Sequence, residues 1–189
     1  MGRVLILTNS SGGLYDFRNE FVKALTEEHQ VFISMPDDTK RKELEAEGCQ
    51  IIQTAINRRG INPLEDLKLY RTYSKMMKEL KPDLVATYTI KPNIYGGFAA
   101  RCHKVPYIET ITGLGGAFDR TGLFLKLIVT MYRMGLKKAE CIFFQNQENR
   151  GIFERLGITA KKTRMVMGSG VNLERHKEEP YPQSDEIHF

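Results

Sequence analysis

Short apolar runs alternate along the chain with longer stretches of helical spacing. The runs at 3–8 (RVLILT), 30–35 (QVFISM), 49–54, 84–88, 106–112, 141–144 and 163–167 predict seven strands. They are continuous rather than alternating, the pattern of strands covered on both faces. Between them, Asp16 is placed to cap a helix whose apolar positions Phe17, Phe21, Ala24 and Leu25 recur at helical spacing. A charged, solvent-facing helix is predicted over 38–47. Asn62-Pro63 opens a helix that runs to Leu80, with Pro in the permitted first turn. Further helices are predicted over 93–103, 122–138 and 147–156. This β-α alternation predicts an α/β fold, a three-layer α/β/α sandwich around a mostly parallel sheet of about seven strands.

The chain has 189 residues, enough to bury a core without disulfides or metals. With 41% hydrophobic and 27% charged residues it is not a disordered chain. No apolar run approaches the roughly 18 residues that span a bilayer, and the N-terminus reads as a strand rather than a signal peptide. Three scattered cysteines suggest neither a disulfide framework nor a zinc site, and point to a reducing cytoplasm. The net charge of +5 suits anionic partners or solubility alone. The predicted organisation is one domain over 1–176, a polar linker over 177–184 (KEEPYPQS), and, at 185–189, the first residues of a strand belonging to a second domain. The competing reading folds this tail back onto the domain.

In an open parallel sheet, ligands bind at the carboxyl ends of the strands, and here those ends are rich in Gly, Ser, Thr and Asn. After strand one, Gly12 and Gly13 can cradle a phosphate at a helix N-terminus or simply make a tight turn. The loop is neither a dinucleotide fingerprint nor a P-loop. After strand four, Lys91 is either a point charge for a phosphate or a solvated Lys before Pro92. Asn93 reads as a helix cap, and Tyr95-Gly96-Gly97 permits close helix packing. Glu109, costly in a parallel strand unless paired, is either functional or salt-bridged. Thr112 and Gly113 follow strand five, Asn146 strand six, and Gly170 strand seven. No catalytic triad, H-E-x-x-H or C-x-x-C occurs, and basic residues are not interleaved with aromatics as nucleic-acid binding would require. The helix over 122–138 is apolar and basic, with Lys126, Arg133 and Lys137 at i, i+7 and i+11 in one stripe. Such a helix either lies on an anionic membrane surface or is sandwiched in the fold with one wet stripe.

Five stretches in order, SSGGLYDFRNEFVKAL, KPDLVATYTIKPNIYGGFAAR, VPYIETITGLGGAF, AECIFFQNQENRGIFERLGI and MVMGSGVNLERH, resemble the N-terminal domain of GT-B glycosyltransferases of family 4. The pairing of TIKPNIYG with TITGLG is similar to bacterial members that build capsule, lipopolysaccharide and other surface polysaccharides on a lipid-diphosphate carrier. The resemblance implies a Rossmann-like acceptor-side domain forming the first half of a two-domain enzyme. It implies retaining sugar transfer from a nucleotide sugar, most simply a UDP-sugar, with no tightly bound cofactor and no required metal. The main catalytic groups would lie in the second domain, so this chain alone would be inactive. Carried over by position, Ser11, Gly12 and Gly13 match the loop facing the donor diphosphate. Thr89, Lys91 and Asn93 match the acceptor-side loop. Thr112 and Gly113 match a loop where many members have a histidine, absent here. Asn146 and the segment from Gly170 to Asn172 border the interdomain cleft. The implied partners are a nucleotide sugar and a lipid-diphosphate-linked sugar, at the inner face of the cytoplasmic membrane. A stand-alone ligand-binding or regulatory module, and a nucleotide-sugar epimerase of the same architecture, remain open alternatives.

Overall fold

The structure is a computed structural model that describes residues 1–58, 60, 62–118, 122–174 and 176–180. Seven parallel strands form one sheet: β1 (Arg3–Leu7), β2 (Gln30–Met35), β3 (Gln50–Gln53), β4 (Leu84–Tyr88), β5 (Tyr107–Ile111), β6 (Cys141–Phe144) and β7 (Thr163–Met165). Their order across the sheet is β3-β2-β1-β4-β5-β6-β7. In the centre, Leu5 pairs with Phe32 of β2 on one side and Val85 of β4 on the other. The helices are α1 (Ser11–Glu28), α2 (Arg41–Ala46), α3 (Pro63–Leu80), α4 (Gly97–Cys102), α5 (Leu123–Leu136) and α6 (Gln147–Arg155). A π-helical turn, Pro92–Gly96, leads into α4.

The continuous apolar strands serve two cores at once. Val4 and Ile6 face Leu14 and Val22 of α1 and Leu44 of α2. Their neighbours Leu5 and Leu7 face the opposite layer, where α3 to α6 contribute Tyr73, Ala99, Tyr132 and Phe153. Right-handed crossovers produce this division, because the chain steps one way from β1 to β3 and the other way from β4 to β7. The reversal falls between β1 and β4, which is where an open α/β sheet offers its ligand crevice.

Local chemistry moved several helix boundaries. The helix α1 starts at Ser11, not after Asp16, because Ser10 caps it by accepting the Gly13 N–H at 3.2 Å. Arg18 is non-helical within it (φ −142°, ψ 18°), and that kink turns the face. Leu14 and Val22 go inward while Phe17 and Phe21 stay exposed, contrary to the predicted apolar face. The helix α2 is shorter than the charged run, and its Leu44 is fully buried rather than solvent-facing. The helix α3 begins as predicted, with Asn62 accepting the Leu64 N–H and Pro63 in the first turn. Residues 181–189, which include the end of the predicted linker and the predicted second-domain strand, lie outside the described residues, and 177–180 carry no helix or strand.

Candidate functional site

A cleft of about 690 Å³ opens at the reversal point, beyond the carboxyl ends of β1, β4 and β5. Asn9, Thr89, Lys91, Thr112 and Gly113 line it from the sheet edge, Asp66 from α3, and Ile128 and Met131 from α5. Thr89 leaves β4 at φ 74°, a region that a β-branched residue enters only when its surroundings compel it. Its hydroxyl oxygen is buried and has no hydrogen-bond partner among the described residues. Lys91 follows it and donates from Nζ to Asp66 Oδ1 at 2.7 Å, with the two side chains only 13% and 6% exposed. Burial, together with the neighbouring Asp66 carboxylate, pushes the Tyr95 phenol well above its usual range. Lys91 is therefore neither a lone point charge nor a solvated Lys, the two readings its sequence allows, but one half of a buried ion pair.

Thr89, Lys91, Thr112 and Gly113 thus come together as the sequence suggests, and the other candidates do not. Asn93 caps nothing: it lies inside the π turn, accepts a hydrogen bond from the Thr87 hydroxyl at 2.7 Å and donates to the Thr110 carbonyl at 3.1 Å. It clamps β4, β5 and the turn together from below the cleft. Glu109 is fully buried on the helix-covered face of β5, and neither carboxyl oxygen has a hydrogen-bond partner among the described residues. It neither lines the cleft nor forms a salt bridge, and burial raises its carboxyl well above the ordinary range. Asn146 caps α6 by accepting the Asn149 N–H at 2.8 Å. Asn172 donates to Glu20 of α1 at 2.6 Å, and Gly170 sits nearby at φ 75°.

The loop at α1 has most of its donors engaged. The Ser11 hydroxyl donates to Asp37, its N–H reaches the same carboxylate at 3.2 Å, and Gly13 N–H is held by Ser10. Burial pushes the Asp37 carboxyl up, but hydrogen bonds from Ser11 and Thr39 and the Arg58 guanidinium outweigh it and hold the group below its usual range. A carboxylate thus already stands at this helix N-terminus. Arg58 in turn lines the cleft. On the α1 side of the sheet edge, the Arg18 guanidinium stacks 4.8 Å over Tyr88, donates to the Gly13 carbonyl and reaches Ser169 at 2.9 Å.

Sequence reasoning passed over Asp66, Arg58 and Arg18. Asp66 carried one signal, a carboxylate in the first turn of α3, which the helix dipole alone accounts for. Its partner lies 25 residues away.

Beside the cleft, and sharing Asp66, Ile94, Tyr95 and Met131 with it, runs an almost wholly apolar groove between α3, α4 and α5. Pro63, Leu67, Tyr70, Phe98, Leu127 and Met134 complete it. Lys126 and Arg133 on α5 and Lys137 at its C-terminal cap are exposed, but Arg133 donates to the Leu156 carbonyl at the end of α6. No helix of the described residues is long and apolar enough to cross a membrane.

The chain is 28% identical over 179 residues, 92% of its length, to the Campylobacter jejuni N,N'-diacetylbacillosaminyl-diphospho-undecaprenol alpha-1,3-N-acetylgalactosaminyltransferase. It spans about half of that curated relative, 48%. Among solved structures, a glycosyltransferase from Rickettsia africae superposes with a TM-score of 0.68 at 20% identity, over 93% of this chain and 45% of that one. Anabaena Alr3699/HepE, solved in complex with UDP and glucose, gives 0.65 at 15% identity, over 95% and 47%. Both share the Rossmann-like half-molecule described above. The model of one family, described as glycosyl transferase 4-like, matches residues 3–146, most of the sheet and both sides of the cleft, and the chain belongs to that family.

Proposed function

We propose that the chain is the acceptor-side half of a retaining glycosyltransferase. The enzyme moves a sugar from a UDP-sugar to a lipid-diphosphate-linked sugar in cell-surface polysaccharide synthesis. What carries this reading is the amphipathic cleft: a polar floor at Thr89, Lys91, Asp66 and Thr112 that runs directly into the apolar groove beside Tyr95 and Met131. A ligand with a polar head on a hydrocarbon tail has that form. The curated relative, whose printed name is that of a transferase acting on a diphospho-undecaprenol-linked sugar, supports it.

In this scheme the domain over 1–176 holds the acceptor, 177–184 links it to a second domain beginning near 185, and that domain binds most of the donor. Ser11, Gly12 and Gly13 face the donor diphosphate across the interdomain cleft, which Asn146, Gly170 and Asn172 border. Positive groups and helix N-termini, rather than a metal, stabilise the leaving diphosphate. The protein works at the inner face of the cytoplasmic membrane, held through α5. Asp37 sets how much negative charge the α1 edge tolerates, so Asp37→Asn removes a like charge and is expected to tighten UDP binding by the full-length protein.

The test is transfer of labelled sugar from UDP-sugars to polyprenyl-diphosphate-linked saccharides, with and without a chelator. The full-length protein is expected to form product with retained anomeric configuration and to work in chelator, and residues 1–189 alone are expected to give none. Turnover by the 189-residue chain alone, or a full-length protein that binds UDP-sugars but transfers nothing, overturns the proposal.

A further inference from the structure

The chemistry of the cleft floor specifies more than an acceptor in general. An ammonium that neutralises phosphate needs an unspent charge, and Lys91 spends its own on Asp66 at 2.7 Å. The pair offers the cleft no net charge, only a dipole with a donor side and an acceptor side. Lys91 Nζ carries three N–H groups, of which Asp66 takes one. The Asp66 carboxylate, hydrogen-bonded by Lys91, has further lone pairs to offer. Beside them the Thr89 hydroxyl is buried without a partner among the described residues, on a backbone held in the left-handed region. Ile56, Ile90, Ile94 and Ile128 line the same cleft.

A donor and an acceptor side by side, next to a branched apolar wall, match a secondary amide that ends in a methyl group. The amide carbonyl accepts from Lys91, its N–H donates to Asp66, and the methyl packs against the isoleucines. A diphosphate placed there would instead confront the Asp66 carboxylate. We infer that this cleft binds a neutral N-acylated pyranose, and that Asp66 and Lys91 read its amide. This rests on the acceptor-side reading above and narrows it to a substrate class. It assigns Asp66 and Lys91 to sugar recognition and leaves the diphosphate to other cations.

The experiment uses the 189-residue chain and no donor. Its probes are the methyl glycosides of N-acetylglucosamine and of glucose, and inorganic pyrophosphate. Binding is followed by saturation-transfer NMR and by backbone amide shifts on isotope-labelled protein. The acetamido glycoside is expected to bind about tenfold or more tightly than the glucoside, because a site built for an amide is left with unpaired groups by an analogue lacking it. Its shifts should centre on Asp66, Thr89 and Lys91, and pyrophosphate should not displace it. Asp66→Asn should weaken binding about tenfold. The double variant Asp66→Asn/Lys91→Gln leaves no unpaired buried charge and should do the same while melting as a folded protein. Equal binding of the two glycosides, displacement by pyrophosphate, shifts elsewhere on the chain, unchanged binding by both variants, or no binding at all overturns the inference. Because no donor is present, this result is separable from the transfer assay: amide-sugar binding without transfer by the full-length protein rejects only the transferase reading, and transfer without it rejects only this inference.

Discussion

At the scale of single residues, Glu109 and Lys91 show how far burial decides a side chain's behaviour. The Glu109 carboxyl is fully buried and packs against Gly97, with Tyr107 and Tyr132 close by. Burial raises it well above the ordinary 4.5, so above that pH the folded chain keeps a proton that the unfolded chain gives up. The stability associated with this group is therefore fully present below about pH 4.5 and declines as pH rises toward the folded value. Glu109→Gln keeps the shape and removes the titration. Thermal melts are expected to show the variant gaining on the wild type from about pH 5 to pH 8, with the difference shrinking toward pH 4; a pH-independent difference would count against burial as the cause. Lys91 is held instead by its ion pair with Asp66. Truncating it to Ala leaves Asp66 charged, buried and unpaired, a loss of about 3–5 kcal/mol by analogy with broken buried pairs. Urea denaturation should show that loss for Lys91→Ala and a much smaller one for Asp66→Asn/Lys91→Gln. Residue type could be read from the sequence in both cases, but the partner could not. Lys91 was visible as a cation in a loop after a strand, while Asp66, which changes what that cation can do, sits in the first turn of a helix where a carboxylate needs no other reason.

At the scale of elements, two glycines set how close α5 comes to the layer beneath the cleft. A Cβ on Gly135 would lie 2.9 Å from the Ile94 carbonyl oxygen and 3.1 Å from that of Asn93, both backbone atoms that cannot swing aside. A Cβ on Gly97 would meet the Gly135 carbonyl at 2.9 Å as well as Glu109. Tyr107 fastens the same contact by donating to the Gly135 carbonyl at 2.7 Å. The close packing anticipated for Tyr95-Gly96-Gly97 is thus present, and its counterpart on α5 is Gly135. Gly135→Ala is expected to cost about 1–3 kcal/mol in urea denaturation, the usual penalty of overpacking. Gly113→Ala, which meets nothing within 4 Å, should stay within about 0.5 kcal/mol. A tolerated Gly135→Ala would mean that α5 can slide. The strands were legible because a parallel sheet buried on both faces writes continuous apolar runs. The phase of α1 was not, because it depends on Ser10 capping early and on the kink at Arg18, whose guanidinium answers to Gly13, Tyr88 and Ser169 across the sheet edge. Asn93 misled for a similar reason. A cap residue after a proline and a clamp inside a π turn look alike until Thr87 and Thr110 are in place.

At the scale of the whole molecule, one face gathers features that no single helix announces. Leu64 and Leu67 of α3 and Leu123, Leu127 and Met134 of α5 are all exposed, and the apolar groove runs between the two helices. Lys126 on α5 and Lys137 at its C-terminal cap are exposed, while Arg133 is tied to the Leu156 carbonyl. The predicted basic stripe is therefore two lysines and a structural arginine. On an anionic bilayer each lysine near the surface is worth about 1 kcal/mol, so the pair supplies about 2 kcal/mol, or roughly thirtyfold in partitioning, and salt screens it. The exposed leucines and methionine add apolar burial in the interface. If this face rests on a membrane, the chain should co-sediment with vesicles containing phosphatidylserine or phosphatidylglycerol, less with neutral vesicles, and less as salt rises. Lys126→Gln/Lys137→Gln should flatten the salt dependence. Leu127→Asp/Met134→Asp should reduce binding at every salt concentration, and Arg133→Gln should change stability more than binding. A chain that stays in solution at low salt, or an Arg133→Gln effect as large as that of the two lysines together, would remove α5 as the point of attachment and leave the groove to the hydrocarbon tail of a single bound acceptor.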